Sequence, residues 1–539
     1  MDVQARLGVV GLPAPVAELA GRRWDAVVVG GGHNGLTAAA YLARAGWSVL
    51  VLERRDRLGG ACTLEQPFPD PAWLVSPCAY LVGLLHPLVI EELDLRRHGY
   101  RAHPADPHLW CPFPDGSSLA VWNDRARTAA AVAALSARDV DGFFAYEDLF
   151  ARIRTALRSG PGRDTWLGPA PDRAELEARL AGDTEAAEVL FEASIADVVE
   201  RHVEDERLCT ALHGQGVIGS AAGPRDPGTA AIHALHSMGT LEGAGGVWGY
   251  VEGGMGRVSF ALAAAAMEAG AVVAAGVPVA AIDAGVGVRL EGGELVRAAV
   301  VVSNADPVRT LALCDAGGDG AGEVPESWRE RVARWRIEGA TVKVNCGLTR
   351  LPTFPAGAGL GGTPYRAMVT VSGGIDDTQA ASEAARRGVA APAWCEVYFH
   401  TAYDRSVAPT GRHAMSVLAQ YAPYRLASGT WDERREEIGD AVLASVARAA
   451  PDVAEVVEHR QVLGPPDIEA RVGLTGGHIF QGECLADQLW DRRFPSRTPV
   501  PGLYLCGAAT HPGGSVIAAN GRNAAMAVLA GLDPSFIAQ

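Results

Sequence analysis

The spacing Gly30-x-Gly32-x-x-Gly35, with Glu53 downstream, is built to hold a dinucleotide. Gly30 allows a sharp turn, Gly32 lets a pyrophosphate approach the backbone, and Gly35 lets helix and strand pack closely. Asn34 lies in the turn, and the helix that follows it, Leu36–Ala45, offers free N–H groups and a positive dipole end to phosphates. Glu53 can accept hydrogen bonds from the ribose hydroxyls of an adenosine half. Near the other end, Leu503-Tyr-Leu-Cys506-Gly507 runs into Thr510-His511-Pro512-Gly513-Gly514-Ser515-Val516. That is a buried strand, a glycine turn, and a small-residue loop that lets the backbone approach a flat ring. The helix after it would stabilise negative charge at its N-terminus.

A third candidate is Lys343, the single lysine among 47 basic residues. In Thr341-Val-Lys-Val-Asn345 the period-two alternation puts Thr341, Lys343 and Asn345 on one face of a strand. An ammonium is a compact point charge whose pKa falls on burial, which suits a site where guanidinium does not serve. The plain alternative is a lysine on a solvent-facing strand edge. His511 contacts a ring edge or caps its loop. His86, in an apolar stretch, lines a tunnel or, as the composition around it favours, packs as a hydrogen-bonded core residue. His213, His233, His236 and His400 are expected to be structural. No Ser-His-Asp set or carboxylate pair stands out, and hydride transfer to a cofactor needs little acid–base machinery.

These residues need a frame. Asp25–Val29, Leu36–Ala45 and Ser48–Glu53 read as strand, helix and strand. Ala271-Val-Val and Val277–Ile282 read as strands, and Val288–Leu290 with Leu295–Arg297 as a hairpin. Ala298–Ser303 reads as a separate buried strand. Thr341–Leu348, Trp394–His400 and Ala414–Ala419 read as further strands. Ala174–Leu190 and Ile195–Leu212 carry helical periodicity inside an insertion, 67–215, that is mostly helical in pattern. The stretches 316–322 and 355–362 are glycine-rich loops.

The chain has 539 residues, 48% hydrophobic and 20% charged, enough for two domains. Its net charge of −16 argues against nucleic acid as a partner. Peripheral membrane contact through an apolar patch stays open. No apolar run is long enough to span a membrane. Charged residues Asp2, Arg6, Glu18, Arg22 and Arg23 interrupt the first 23, which points to the cytoplasm. The 9 cysteines include no C-x-x-C, so neither a redox dithiol nor a structural metal is expected.

In chain order these segments resemble the phytoene desaturase-like FAD-dependent oxidoreductases, relatives of the amine oxidases. Within that group they are similar to the subgroup of pyridine nucleotide-disulfide oxidoreductase domain-containing protein 2. The resemblance rests on the N-terminal fingerprint, Trp248 with Gly253-Gly254-Met255-Gly256, Val301–Pro307, Ala408-Pro-x-Gly411 and the two C-terminal segments. It implies an α/β architecture: a two-dinucleotide-binding-type (Rossmann-like) FAD domain with an interleaved mixed α+β substrate domain. The FAD domain would comprise 24–66, 216–307 and 483–535, and the substrate domain 67–215 and 308–482. It implies FAD, held without a covalent link. Arg54 and the amides of Gly59, Gly60 and Ala61 would reach its phosphates, Val279 its adenine, and Gly507 and Gly513–Val516 its ring. Lys343 would match a lysine that holds a water at flavin N5. Ser515 stands where relatives carry glycine, and His478 and Gln481 also depart from the pattern. The subgroup name suggests disulfide chemistry, against which the missing C-x-x-C stands.

The expected function is an FAD-dependent dehydrogenase, desaturase or oxidase. It takes a hydride from a mostly apolar small molecule, with O2, a quinone or another carrier as acceptor. The alternatives are a redox-neutral isomerase or saturase, and a flavin-binding scaffold protein. A closed cavity of substrate size favours an enzyme over a scaffold.

Overall fold

Runs rich in valine and other apolar residues make buried strands, and here they assemble into two sheets of 7 strands each. The computed structural model describes residues 7–159, 164–318 and 323–531. Along the chain the sheet strands are β1 (Trp24–Val29), β2 (Val49–Glu53), β3 (Leu109–Pro112), β4 (Ser118–Val121), β5 (Val272–Ala275), β6 (Val279–Asp283) and β7 (Gly287–Leu290). They continue with β8 (Leu295–Ser303), β9 (Thr341–Leu348), β10 (Met368–Ser372), β11 (Trp394–Phe399), β12 (His413–Gln420), β13 (Val457–Leu463) and β14 (Leu503–Leu505).

The first sheet has the order β6-β7-β8-β1-β2-β5, with β14 also paired to β8. Strands β14, β8, β1, β2 and β5 run parallel. Alternate residues choose alternate faces. Ala26, Val28, Val49 and Val51 pack under helices α1 (His33–Arg44), α2 (Gly256–Glu268) and α3 (Ala519–Ala530). Val27, Val29, Leu50 and Leu52 pack on the other face with Trp328, Val332 and Trp335. β8 is one continuous strand where a hairpin arm and a separate strand were expected. Its first residues pair antiparallel with β7 and its last pair parallel with β1.

The second sheet has the order β13-β9-β12-β11-β10-β3-β4. Strands β3 and β4 come from the insertion that reads as mostly helical. They join at Met368↔Leu109, so the two insertions share one sheet. One face packs on helix Trp431–Ala447 through Val342, Val344, Val397 and Val417. The other face looks toward the first sheet's glycine turn and a helical layer that includes Val140–Arg158 and Ile195–His202.

Two helical patterns break where the periodicity reads as continuous. The Ala174–Leu190 pattern splits into helices Arg173–Leu180 and Thr184–Phe191, because Ala181 takes φ 52° and Asp183 caps the second helix. The Ile195–Leu212 pattern splits likewise at Asp205, which accepts from the Arg207 amide. Helix Ala230–Ser237 packs with the helical layer and not on the first sheet. Helix Pro307–Asp315 packs against β6 of the first sheet. Asp2, Arg6, residues 319–322 of the glycine-rich loop and 532–535 lie outside the described residues. Among the described residues no helix is long and apolar enough to cross a membrane.

Candidate active site

The glycine turn sits between β1 and α1. Gly30 takes φ +101°, a backbone open to glycine at little cost. A Cβ on Gly35 would lie 2.2 Å from the Gly30 carbonyl oxygen, so only glycine lets α1 start this close to β1. Helix α1 has Gly32 as its N-cap and therefore no side chain to satisfy its first N–H groups. Asn34 Oδ1 and His33 Nε2 are buried beside it without partners. Orphan donors at a helix N-terminus call for an anion. Glu53, at the end of β2, accepts from the Gly31 amide at 2.8 Å and the Arg55 amide at 2.8 Å. Burial pushes its carboxyl above the usual range.

One continuous cavity runs from this turn to the second sheet. Its near half is lined by Gly30, Gly32, Asn34, Glu53, Arg54, Gly59, Gly60, Ala61, Val279, Ser515 and Val516, all expected from the sequence. His33, Asn304 and Arg309 join them, and the sequence reading missed all three. Asn304 belongs to the Val301–Pro307 segment, so its position after a buried strand was a usable signal. Arg309 Nε is buried without a partner at the same end, next to Arg54. Ser515 holds φ +83°, so the serine keeps a left-handed backbone of the kind glycine favours.

Five expected residues do not line the cavity. Gly35 lies behind the turn. Gly507 and Gly514 are packed against Gln481 and Phe480, where a Cβ would meet side-chain atoms at 2.5 Å and 2.2 Å. Gly513 faces Leu235 and Arg493. These glycines pack behind the wall. His511 is a correction: its Nε2 meets the Thr165 carbonyl oxygen at 2.5 Å, so the ring points into the helical layer and away from the cavity. Burial lowers its pKa to about 4. His86 is the packed histidine expected, with Nε2 at 3.0 Å from Asp164. His236 departs from expectation and lines the cavity beside Trp248 and Phe480. Of the two departures noted besides Ser515, Gln481 lines the cavity, whereas His478 is fully buried beside Glu483.

Lys343 is the far-half residue that the sequence found. Strand β9 is flanked by β12 and β13, so Lys343 is on no sheet edge. It is 1% exposed and lines the cavity. Its Nζ donates to Asn345 Oδ1 at 3.1 Å and to Ser416 Oγ, and lies 4.9 Å from the Tyr80 ring centroid. Burial lowers its pKa to about 7, and no carboxylate among the described residues contributes to holding it charged.

The rest of the far half was missed. Tyr80, Gln215, Trp248, Met368, Glu396, Tyr398 and Leu418 all line it. In register, Lys343 pairs with Leu418 and Leu418 with Glu396, so cation, leucine and carboxylate form one row on the cavity face. Glu396 Oε1 accepts from Gln215 Nε2 at 2.7 Å, and Oε2 accepts from the Tyr398 hydroxyl. Burial raises the Glu396 pKa to about 7. Among the described residues no group of His, Cys, Asp or Glu has the arrangement to hold a metal ion.

A dinucleotide turn opening into a cavity floored by a second sheet defines a flavin-dependent oxidoreductase. Residues 28–84 match the NAD(P)-binding Rossmann-like domain, and residues 113–529 match the flavin containing amine oxidoreductases. The chain belongs to the flavin containing amine oxidoreductase family, and its cofactor is FAD. It is 35% identical to pyridine nucleotide-disulfide oxidoreductase domain-containing protein 2 of Rattus norvegicus, covering 93% of this chain and 92% of that one. A lycopene-forming phytoene desaturase of Pseudescherichia vulneris is 25% identical over 91% of this chain and 95% of its own. An engineered putrescine oxidase shares the fold, with a TM-score of 0.58 at 18% identity, covering 94% of this chain and 99% of that one.

Proposed function

We propose that this oxidoreductase takes a hydride from a mostly apolar small molecule and hands the electrons to O2, a quinone or another carrier. The observation behind this reading is the single cavity that joins the Gly30–Gly32 turn to the row Lys343–Leu418–Glu396. Bound FAD supplies the two-electron chemistry. The protein's own residues bind, orient and exclude water. Gly32 and the first N–H groups of α1 would hold the pyrophosphate, Glu53 the adenosine ribose, and Arg54 with Arg309 the anionic end. Val279 would meet the adenine through its backbone, and Ser515 and Val516 would lie along the ring. Leu81, Ile218, Leu418 and Ile479 give the far half apolar walls. The nine cysteines are all free thiols, which fits work in a reducing compartment such as the cytoplasm.

The flavin is held without a covalent link in this reading, so acid or heat releases all of it into the supernatant as FAD. A flavin retained in the precipitate contradicts this. Anaerobic mixing of the holoprotein with a metabolite library tests the reaction itself. Bleaching of the flavin band identifies an oxidised substrate, whereas substrate turnover with no bleaching and no acceptor points to isomerisation.

Free NADH and NADPH are expected to be poor reductants, because the chain carries one complete dinucleotide fingerprint and no C-x-x-C. Stopped-flow mixing under nitrogen measures this. Rapid bleaching at low micromolar nicotinamide would sink the prediction and revive a reductase.

A further inference from the structure

The carboxylate of Glu396 is the unexplained group of the far half. It sits on β11 near the middle of the second sheet, 1% exposed, with its side chain at the cavity. Its fixed partners are one donor on each oxygen: Gln215 Nε2 on Oε1 and the Tyr398 hydroxyl on Oε2. Each carboxylate oxygen has two acceptor positions, so one on each is left over. Burial, Tyr398 and Gln215 account for its titration, and no described cation contributes. A buried carboxylate with unfilled acceptor positions is costly, and a ligand that brings an X–H group offsets that cost.

The surroundings favour a ligand with one polar end. The Tyr80 and Tyr398 rings stack at 4.7 Å beside the carboxylate. Leu418 lies next to Glu396 in the row, and Lys343 follows it. Neighbours across a sheet are about 5 Å apart, which puts the Lys343 and Glu396 Cα atoms roughly 10 Å from each other with an apolar residue between them.

We propose that Glu396, oriented by Gln215 and Tyr398, anchors a hydrogen-bond-donating group of the substrate, a hydroxyl or an ammonium. The apolar body then lies over Leu418 toward Lys343. This rests on the proposed redox reading of the same cavity and narrows it: the substrate is an apolar skeleton carrying an alcohol or an amine, not a pure hydrocarbon. Gln215 and Tyr398 are positioning residues, since each acts through the carboxylate.

The test uses the FAD-loaded protein and three matched probes: 2-phenylethylamine, 2-phenylethanol and ethylbenzene. Affinity is read by calorimetry and by perturbation of the flavin absorption band, with no turnover required. At least one donor-bearing probe is expected to bind tenfold or more tightly than ethylbenzene. Glu396→Leu should erase that preference while FAD content stays normal. Glu396→Gln separates the two sources. It keeps an acceptor but not the charge, so a tenfold loss marks an ammonium and near-retention marks a hydroxyl. Equal binding of all three probes, binding of none below 10 mM, or an unchanged preference in Glu396→Leu overturns the proposal. The anaerobic screen judges the redox reading separately. Bleaching by a hydrocarbon alone sinks the Glu396 anchor and leaves the redox reading standing, whereas donor-selective binding that Glu396→Leu erases, with bleaching by no compound, sinks the redox reading and leaves Glu396 as a binding group only.

Discussion

Gly32→Leu is expected to yield a folded protein without flavin. Gly32 caps α1 with φ −74° and ψ 169°, an extended backbone open to any residue, so no conformational need explains the glycine. The need is space. A Cβ at Gly32 would lie 2.7 Å from Asn304 Nδ2, and Asn304 shares the cavity wall with it. Alanine displaces the Asn304 amide, which donates weakly to the Gly30 carbonyl at 3.4 Å. Leucine goes further and fills the approach to the orphan N–H groups of α1. Loss of those charge-assisted bonds and of the contact surface should weaken FAD binding by a thousandfold or more, about 4 kcal/mol or more. Far-ultraviolet circular dichroism should stay native while the absorbance near 450 nm disappears and added FAD fails to restore it. Gly35→Leu makes a useful contrast. Its side chain would collide with the Gly30 backbone, so that variant should lose the fold itself. A yellow Gly32→Leu protein with full FAD occupancy would sink the assignment of this turn to the pyrophosphate.

The part of the near half around Gly30–Glu53 was legible because it is local. The turn and the acid lie within one strand–helix–strand unit, with the second glycine pair just after it, whereas Val279, Ser515 and Val516 came only through the resemblance and the distant Asn304 and Arg309 were missed. The far half is assembled from segments distant in sequence, and there the reading was partial. Lys343 was found through its rarity and the alternation of β9. Glu396 and Tyr398 carry the same signal in Trp394-Cys-Glu-Val-Tyr-Phe, where polar and apolar residues also alternate. Alternation alone says only that the two faces differ. A carboxylate on such a strand normally means water. Here both faces are buried, and the polar one looks into a cavity, which no local pattern reports. His511 failed for a related reason. Nearness to the loop in sequence does not set a ring's direction, and Thr165, contributed by the insertion, sets it. Strands β3 and β4 are four residues each and find their sheet through β10, far along the chain, so they carried no usable period.

Lys343→Met is expected to slow the reaction and to stabilise the protein, with opposite dependence on what the lysine does in each case. The cost of burial comes first. The pKa falls from 10.5 to about 7 because the ammonium is desolvated. The folded state therefore binds its proton less tightly than the unfolded chain does. Between pH 7 and pH 10.5 the unfolded state holds more protons, so stability rises with pH across that window. Below about pH 7 both states are protonated, and the full penalty, about 5 kcal/mol, is present. Methionine removes that penalty and forfeits the hydrogen bonds to Asn345 and Ser416, about 1–2 kcal/mol together. The variant should thus be more stable than wild type at pH 6, and the advantage should shrink toward pH 10, where the lysine is neutral in the folded protein. Thermal melts of both holoproteins at pH 6, 8 and 10 read the difference, in which titrating groups distant from Lys343 cancel, leaving Lys343 and the groups that feel its charge, His400, Cys78 and Cys346. Activity should move the other way. The Lys343 ammonium lies in the cavity beside Tyr80, and a polar group there orients water or substrate next to the flavin. Its loss should slow flavin reduction or reoxidation tenfold or more, about 1.4 kcal/mol on the barrier. Lys343→Arg should not rescue, since a guanidinium is broader and stays charged at every working pH. A variant with full activity would reduce Lys343 to a packed side chain and pass its role to another residue, and a stability difference that does not change with pH would refute the lowered pKa.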